Sequence, residues 1–299
     1  MLERPKLDNE IMTLSKKYTT DYVTSKDGTK IGYRQMGTGT GLVLVHGGMM
    51  YSENFMKLAE LLADFFTVYI PDRRGRGLSG AYVENHILQA EGEDMQAIVN
   101  KTKTQNIFGL SSGAVVVLQT ALVEPALKKI ALYEPPIPVN GKNFLTFTDG
   151  YENALSKRNY GKAFIAIIKA LDDPSSFFRI LPRFVTIPLM NFAIRAEAKK
   201  VKATNEVSLK ELIPTFHYDA KLVNESADII DKCKNLTTDI LFLSGQKSQP
   251  FLKDILNKLS VVLPQAKRTE FRGLGHTAAD NGGKPEVVAN ELRKFFGTN

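Results

Sequence analysis

Residues Tyr18 to Gln35 read as two short strands around a turn: a Thr-, Tyr- and Val-rich segment to Thr24, the turn pair Asp27-Gly28, then Lys30 to Arg34. Leu42-Val-Leu-Val45 follows as an unbroken apolar run, which predicts a strand buried on both faces of a parallel sheet. Helical and extended patterns then alternate. Helices are predicted over Ser52 to Ala63, His86 to Lys101 and Ser112 to Val123, with strands at Phe66 to Ile70, Asn106 to Leu110 and Lys129 to Tyr133. Strands and helices in short alternation predict βαβ units, hence an α/β fold with a doubly wound, mostly parallel sheet.

The rhythm breaks after the sixth strand. Val139 to Thr238 carries helical periodicities such as Ala163 to Leu171, is punctuated by Pro174, Pro182, Pro188 and Pro214, and offers no clear strand. Alternation resumes with a strand at Ile240 to Ser244, a helix at Pro250 to Ser260, a strand at Arg268 to Arg272 and a helix at Pro285 to Phe296. The expected division is a core of residues 1–138 and 239–299 with a helical cap at 139–238 inserted after the sixth strand.

Composition narrows the function classes. Hydrophobic residues make up 43% of the chain and charged residues 24%, as in ordinary globular proteins, and the 299 residues suffice for one large core with an appended subdomain. The net charge of +7 is scattered rather than gathered in runs, which argues against nucleic-acid binding. A single cysteine, Cys233, excludes an intramolecular disulfide framework and suits a small neutral core residue. With four scattered histidines it leaves no metal-site pattern, so neither metal nor organic cofactor is expected. Met1 to Lys17 mixes acids and bases, and no stretch approaches the roughly 20 apolar residues of a membrane span. A cytoplasmic monomer or homodimer acting on a small molecule, without membrane contact, is the expectation.

The chemistry concentrates in three places. Gly109-Leu-Ser-Ser-Gly113 matches G-x-S-x-G, with an apolar strand ending just before it and an apolar helix starting within it. That context predicts a nucleophile elbow, whose glycines permit a sharp strained turn that lifts the Ser111 hydroxyl above the sheet. His46-Gly47-Gly48 follows an apolar strand, so a backbone N–H there can face a developing oxyanion, with the Ser112 amide as second donor. The His46 side chain is assigned to holding its loop. His276, in the loop Gly273-Leu-Gly-His-Thr before the last helix, is the candidate general base ahead of His217 and His86.

The strand-HGG segment, Pro71-Asp-Arg-Arg-Gly-Arg-Gly-Leu-Ser79, the GLSSG elbow and Gly275-His276 occur in an order that resembles the α/β-hydrolase superfamily. The resemblance implies Ser111 as nucleophile, His276 as base, the Gly48 and Ser112 amides as oxyanion hole, and Pro71 to Ser79 as a bracing loop. Serine at the elbow implies esters, thioesters, lactones, amides or activated C–C bonds as substrates, and the cap as the seat of specificity. Met49 and His217 are candidate pocket residues. Phe144, Phe147, Phe164, Phe177, Phe178, Phe184 and Phe192 are expected to form mainly the cap's own core.

One departure stands out. The family's triad acid usually follows the seventh strand, where this chain reads Gly245-Gln-Lys-Ser-Gln-Pro250 without a carboxylate. Glu134, directly after the sixth strand and followed by Pro135-Pro136, is the best substitute, since some superfamily members carry their acid there. Asp254, Asp219 and a Ser–His dyad stay open. The leading expectation is a carboxylesterase-like serine hydrolase for a small or medium, mainly apolar ester. A C–C bond hydrolase or cofactor-free perhydrolase would use the same residues, and a non-catalytic ligand-binding member is the rival from another class.

Overall fold

A computed structural model describes residues 18–82, 88–139, 149–170, 182–201 and 206–297. Eight strands form one sheet in the order β1-β2-β4-β3-β5-β6-β7-β8. They are β1 (Thr19–Thr24), β2 (Lys30–Met36), β3 (Thr40–Val45), β4 (Phe66–Pro71), β5 (Asn106–Leu110), β6 (Lys129–Tyr133), β7 (Asp239–Gly245) and β8 (Lys267–Phe271). The pairs β1–β2 and β2–β4 are antiparallel and all the others parallel. The predicted doubly wound sheet is therefore present.

Helices are α1 (Met56–Leu62), α2 (Leu88–Thr102), α3 (Ser112–Val123), α4 (Asp149–Ser156), α5 (Tyr160–Ala170), α6 (Arg183–Val201), α7 (Leu209–Leu212), α8 (Phe216–Glu225), α9 (Ile229–Lys232), α10 (Pro250–Val262) and α11 (Pro285–Gly297). The sheet's alternating side chains feed two apolar layers. Val43, Val45, Ile107 and Leu132 pack with Ile98, Val117 and Leu256 of α2, α3 and α10 on one face. Leu42, Leu44, Phe108 and Tyr133 pack with Leu58 of α1 and Leu292 of α11 on the other. Burial on both faces is what the apolar runs of β3 and β5 require. Truncating the fully buried Phe108 to alanine would cost roughly 3–5 kcal/mol.

Between β6 and β7 the described chain is helical. Tyr151, Ala154, Ala163, Ile167, Ile194 and Ile213 form a separate small cluster, whereas Leu222, Val223, Ile229 and Cys233 join the sheet's own core. Two expectations differ from what is seen. Pro188 lies inside α6 rather than ending it. Pro188 and Phe184, the residue four positions earlier whose carbonyl loses its helical donor, both lie on the exposed side. Phe184 and Phe192, expected in a core, are 80% and 71% exposed, while Phe164 packs on the small cluster. The expectations for Met1 to Lys17, His86, Phe144, Phe147, Phe177 and Phe178 fall outside the described residues.

Candidate active site

Ser111 stands between β5 and α3 with φ 56 and ψ −127, a conformation costing about 1–3 kcal/mol for a residue with a Cβ. The turn is held by close approach. A Cβ on Gly109 would lie 2.6 Å from the Gly113 carbonyl, and one on Gly113 would lie 2.4 Å from the His46 carbonyl. Glycine at both positions is therefore a steric requirement, as the elbow pattern implied. The Ser111 amide donates to the Tyr133 carbonyl at 2.9 Å, tying the elbow to the end of the neighbouring strand β6.

Glu134 follows that strand with φ 48 and is fully buried. Its Oε1 accepts from the Gly245 amide at 2.7 Å and its Oε2 lies 2.6 Å from His276 Nδ1. A carboxylate only accepts, so Nδ1 is the donor in this contact and Nε2 is the ring nitrogen that Glu134 does not engage. The Tyr133 hydroxyl donates to the Gly275 carbonyl at 2.7 Å, which fastens the same loop one residue earlier. The His276 side chain is 29% exposed. Among the described residues, neither Ser111 Oγ nor His276 Nε2 has a hydrogen-bond partner.

The end of β7 meets the histidine loop through backbone rather than through a carboxylate. A Cβ on Gly245 would sit 2.5 Å from the Leu274 carbonyl and 2.8 Å from Gly275 Cα. The histidine loop presses on this glycine, and its amide points at Glu134 instead. Asp254 lies exposed on α10.

His46 is fully buried, with Nδ1 3.0 Å from the Gly47 carbonyl and Nε2 accepting the Arg73 amide at 3.1 Å. Burial first, then the charges of Arg76 and Arg73, hold it well below the usual imidazole range, so it is neutral. It braces its loop. A Cβ on Gly47 would lie 3.2 Å from Ser111 Cβ, so the HGG loop abuts the elbow. Among the described residues the Gly48 and Ser112 amides carry no acceptor. Met49 has φ 52 and packs its side chain on the small helical cluster.

Beneath this loop lies a buried charge network that the sequence did not announce. Arg73 pairs with Glu91 of α2, Nη2 to Oε1 at 2.9 Å, and with Asp219 of α8, Nη1 to Oδ1 at 2.9 Å. Arg76 Nη2 reaches Asp219 Oδ2 at 2.8 Å, and its Nη1 donates to the Gly47 and Met50 carbonyls at 3.1 and 3.2 Å. Arg74 forms a bidentate pair with Asp94, both bonds 2.7 Å. Burial raises the Asp219 carboxyl, but Arg76 and Arg73 together outweigh it and hold the group below the ordinary carboxylate range. Asp219 is thus committed to arginines and cannot orient His276, which removes it as a triad-acid candidate. Three arginines within four positions were the available signal. If such a loop is buried, acids from elsewhere must meet it.

His217, on α8, has Nδ1 2.7 Å from Glu152 Oε1, lies edge-on to Tyr218 and is 45% exposed at its side chain. No described contact brings it to Ser111. Cys233 is buried, and burial pushes its thiol up to about 12. Among the described residues there is no cluster of metal-ligating side chains, and no helix is long and apolar enough to cross a membrane.

Comparison with known proteins agrees with this architecture. A solved alpha/beta hydrolase from Sphaerobacter thermophilus superposes with a TM-score of 0.71 at 25% identity, covering 92% of this chain and all 100% of that one. A thermophilic esterase from Thermogutta terrifontis, solved with malate bound, gives 0.69 at 21% identity over 93% and 98%, a likeness of fold alone. The uncharacterized hydrolase YraK of Bacillus subtilis is 32% identical over 114 residues, 37% of this chain. That match spans under half of the relative, 42% of its length. A family profile described as alpha/beta hydrolase fold matches residues 41–282, most of the chain. The chain belongs to the alpha/beta hydrolase fold family.

Proposed function

We propose that the protein is a serine hydrolase that cleaves a small or medium, mainly apolar ester through an acyl-enzyme, with Ser111 as nucleophile, His276 as base and Glu134 as the third member of the triad. The observation that carries this reading is the 2.6 Å contact between Glu134 Oε2 and His276 Nδ1, one strand over from a serine held at positive φ. Esterases occur among the proteins of similar fold, so the fold accommodates this chemistry.

His276 Nε2 removes the Ser111 hydroxyl proton as Oγ attacks the substrate carbonyl. Glu134 keeps the tautomer correct and stabilises the imidazolium that forms. The Gly48 and Ser112 amides receive the tetrahedral oxyanion, preorganised and without an acceptor of their own. Collapse expels the alkoxide, which takes the proton from His276, and leaves Ser111 acylated. Water then gives its proton to His276, attacks the acyl carbon and releases the acid, returning the proton to Ser111. Hydrogen bonds between nucleophile and base commonly tighten only in the substrate complex, which accommodates the unpartnered hydroxyl. The apolar preference rests on Met49, which follows Gly48 and packs its side chain on the helical cluster, and which this reading assigns to the acyl-binding side. His217 is placed at the pocket's outer edge in this reading.

Nitrophenyl esters of graded chain length, with a fluorophosphonate probe, test the proposal. Wild type should turn over short and medium acyl chains and be labelled, and Ser111→Ala should lose both. A wild-type protein that neither labels nor turns over any ester would overturn it.

A further inference from the structure

We infer that Asp219 is a positioning residue for the oxyanion hole, holding both elements that donate to it from a helix outside the sheet. The inference deepens the serine-hydrolase reading above and rests on it.

Each oxygen of the Asp219 carboxylate is used twice. Oδ1 accepts from Arg73 Nη1 at 2.9 Å and from Ser112 Oγ at 3.1 Å. Oδ2 accepts from Arg76 Nη2 at 2.8 Å and from the Met49 amide at 3.2 Å. Four donors fill the four acceptor sites of a carboxylate. Two of them belong to the residues that build the hole: Ser112 supplies one oxyanion amide, and Met49 follows Gly48, which supplies the other.

The geometry makes this more than an ion pair. Met49 is held at φ 52 without being a glycine, a strained backbone that persists only when its surroundings over-determine it. Asp219 supplies the acceptor for that residue's amide, while Arg76 pulls the flanking Gly47 and Met50 carbonyls from the other side. A Cβ on Gly48 would come 3.1 Å from Asp219 Oδ2, so the loop rests directly on the carboxylate. Arg73 Nη1 also donates to Ser112 Oγ at 2.9 Å, which locks that side chain between arginine and aspartate. Because Asp219 rides on α8, between β6 and β7, seating that helix and assembling the hole are one event.

Asparagine keeps the shape but has one acceptor oxygen. If that oxygen faces Arg73 and Ser112, the amide NH2 confronts the Met49 N–H and Arg76, donor against donor. The opposite orientation strands Ser112 and Arg73. Either way one half of the hole loosens.

The test compares Asp219→Asn with Asp94→Asn, which breaks an equally buried aspartate–arginine pair on the same loop but touches neither oxyanion element. Ester kcat and KM are measured with the Ki of an aryl trifluoromethyl ketone, whose adduct with Ser111 puts an oxyanion in the hole. Deleting an oxyanion donor outright costs about 10²–10³ in kcat, so loosening it in Asp219→Asn should cost roughly 10–100-fold, with KM within about threefold and ketone affinity falling in step with kcat. Ser112→Ala, which keeps the amide and removes only the tether, should show a several-fold version of the same pattern and serves if Asp219→Asn is not recovered folded. Asp94→Asn should lower thermal stability without changing the ratio of ketone Ki to KM. The inference is overturned if the tether variants keep kcat and ketone affinity within about twofold, or if Asp94→Asn reproduces their loss. Failure of the hydrolase reading looks different: wild type would show neither ester turnover nor probe labelling, or turnover would survive Ser111→Ala, whatever Asp219 does.

Discussion

Glu134→Gln is the sharpest single perturbation of the proposed triad, because the structure dictates how glutamine must sit. The Gly245 amide donates to Oε1 at 2.7 Å, so the glutamine oxygen takes that position. The inverse orientation would set NH2 against N–H in a fully buried pocket, which costs about 1–3 kcal/mol. The glutamine nitrogen then faces His276 Nδ1, where a carboxylate oxygen stood at 2.6 Å. A donor there forces the imidazole proton onto Nε2, toward the nucleophile, which leaves the wrong tautomer for a base. The comparable aspartate-to-asparagine change in a serine protease costs about 10⁴ in kcat, and a loss of roughly 10³–10⁴ is expected here, or about 4–5.5 kcal/mol of barrier. Circular dichroism and a thermal melt would show the fold intact while nitrophenyl ester turnover collapses. Turnover above about a third of wild type in the folded variant would refute the assignment of Glu134.

Three further outcomes follow from distances and burial already described. Gly245→Ala puts a methyl 2.5 Å from the Leu274 carbonyl, so it should destabilise by about 1–3 kcal/mol and lower kcat by displacing the histidine loop, read by melting and turnover together. Cys233, with its thiol near 12, presents only about one thiolate in 10⁴ at pH 8; a disulfide reagent should leave native activity untouched and titrate one thiol in denaturant. The Asp27 carboxyl is lowered first by its hydrogen bond to Arg74, so its stabilising contribution is present above its unfolded value of 3.8 and lost as pH falls through the folded value. Urea midpoints of Asp27→Asn should therefore fall less steeply than wild type below about pH 4, and equal slopes would count against that role.

Much of the site was legible because it is encoded locally. The elbow needs glycines two positions either side of Ser111, and those are contiguous letters. The same holds for HGG and for the histidine loop. Glu134 was suggested by the family resemblance once the loop after the seventh strand showed no carboxylate, with Asp254, Asp219 and a dyad left open; its 2.6 Å contact with His276 is a tertiary fact. Asp219 was read as an alternative triad acid, not as the partner of the arginine loop. Its partners, Arg73 and Arg76, lie 146 and 143 positions away, and no periodicity reports such a meeting. The helical segment misled in a specific way. Pro188 was read as punctuation, yet α6 passes through it on an exposed face, and aromatic side chains on that helix face outward.

The buried arginines also bear on how the molecule is made. On a ribosome the loop bearing Arg73 and Arg76 emerges long before Asp219 does. Until that late residue arrives, closing the loop would bury two guanidinium groups against the single carboxylate of Glu91, which is prohibitively unfavourable. The His46 to Met50 loop can therefore take its final, fully paired form only once a helix encoded more than 140 positions downstream has been made.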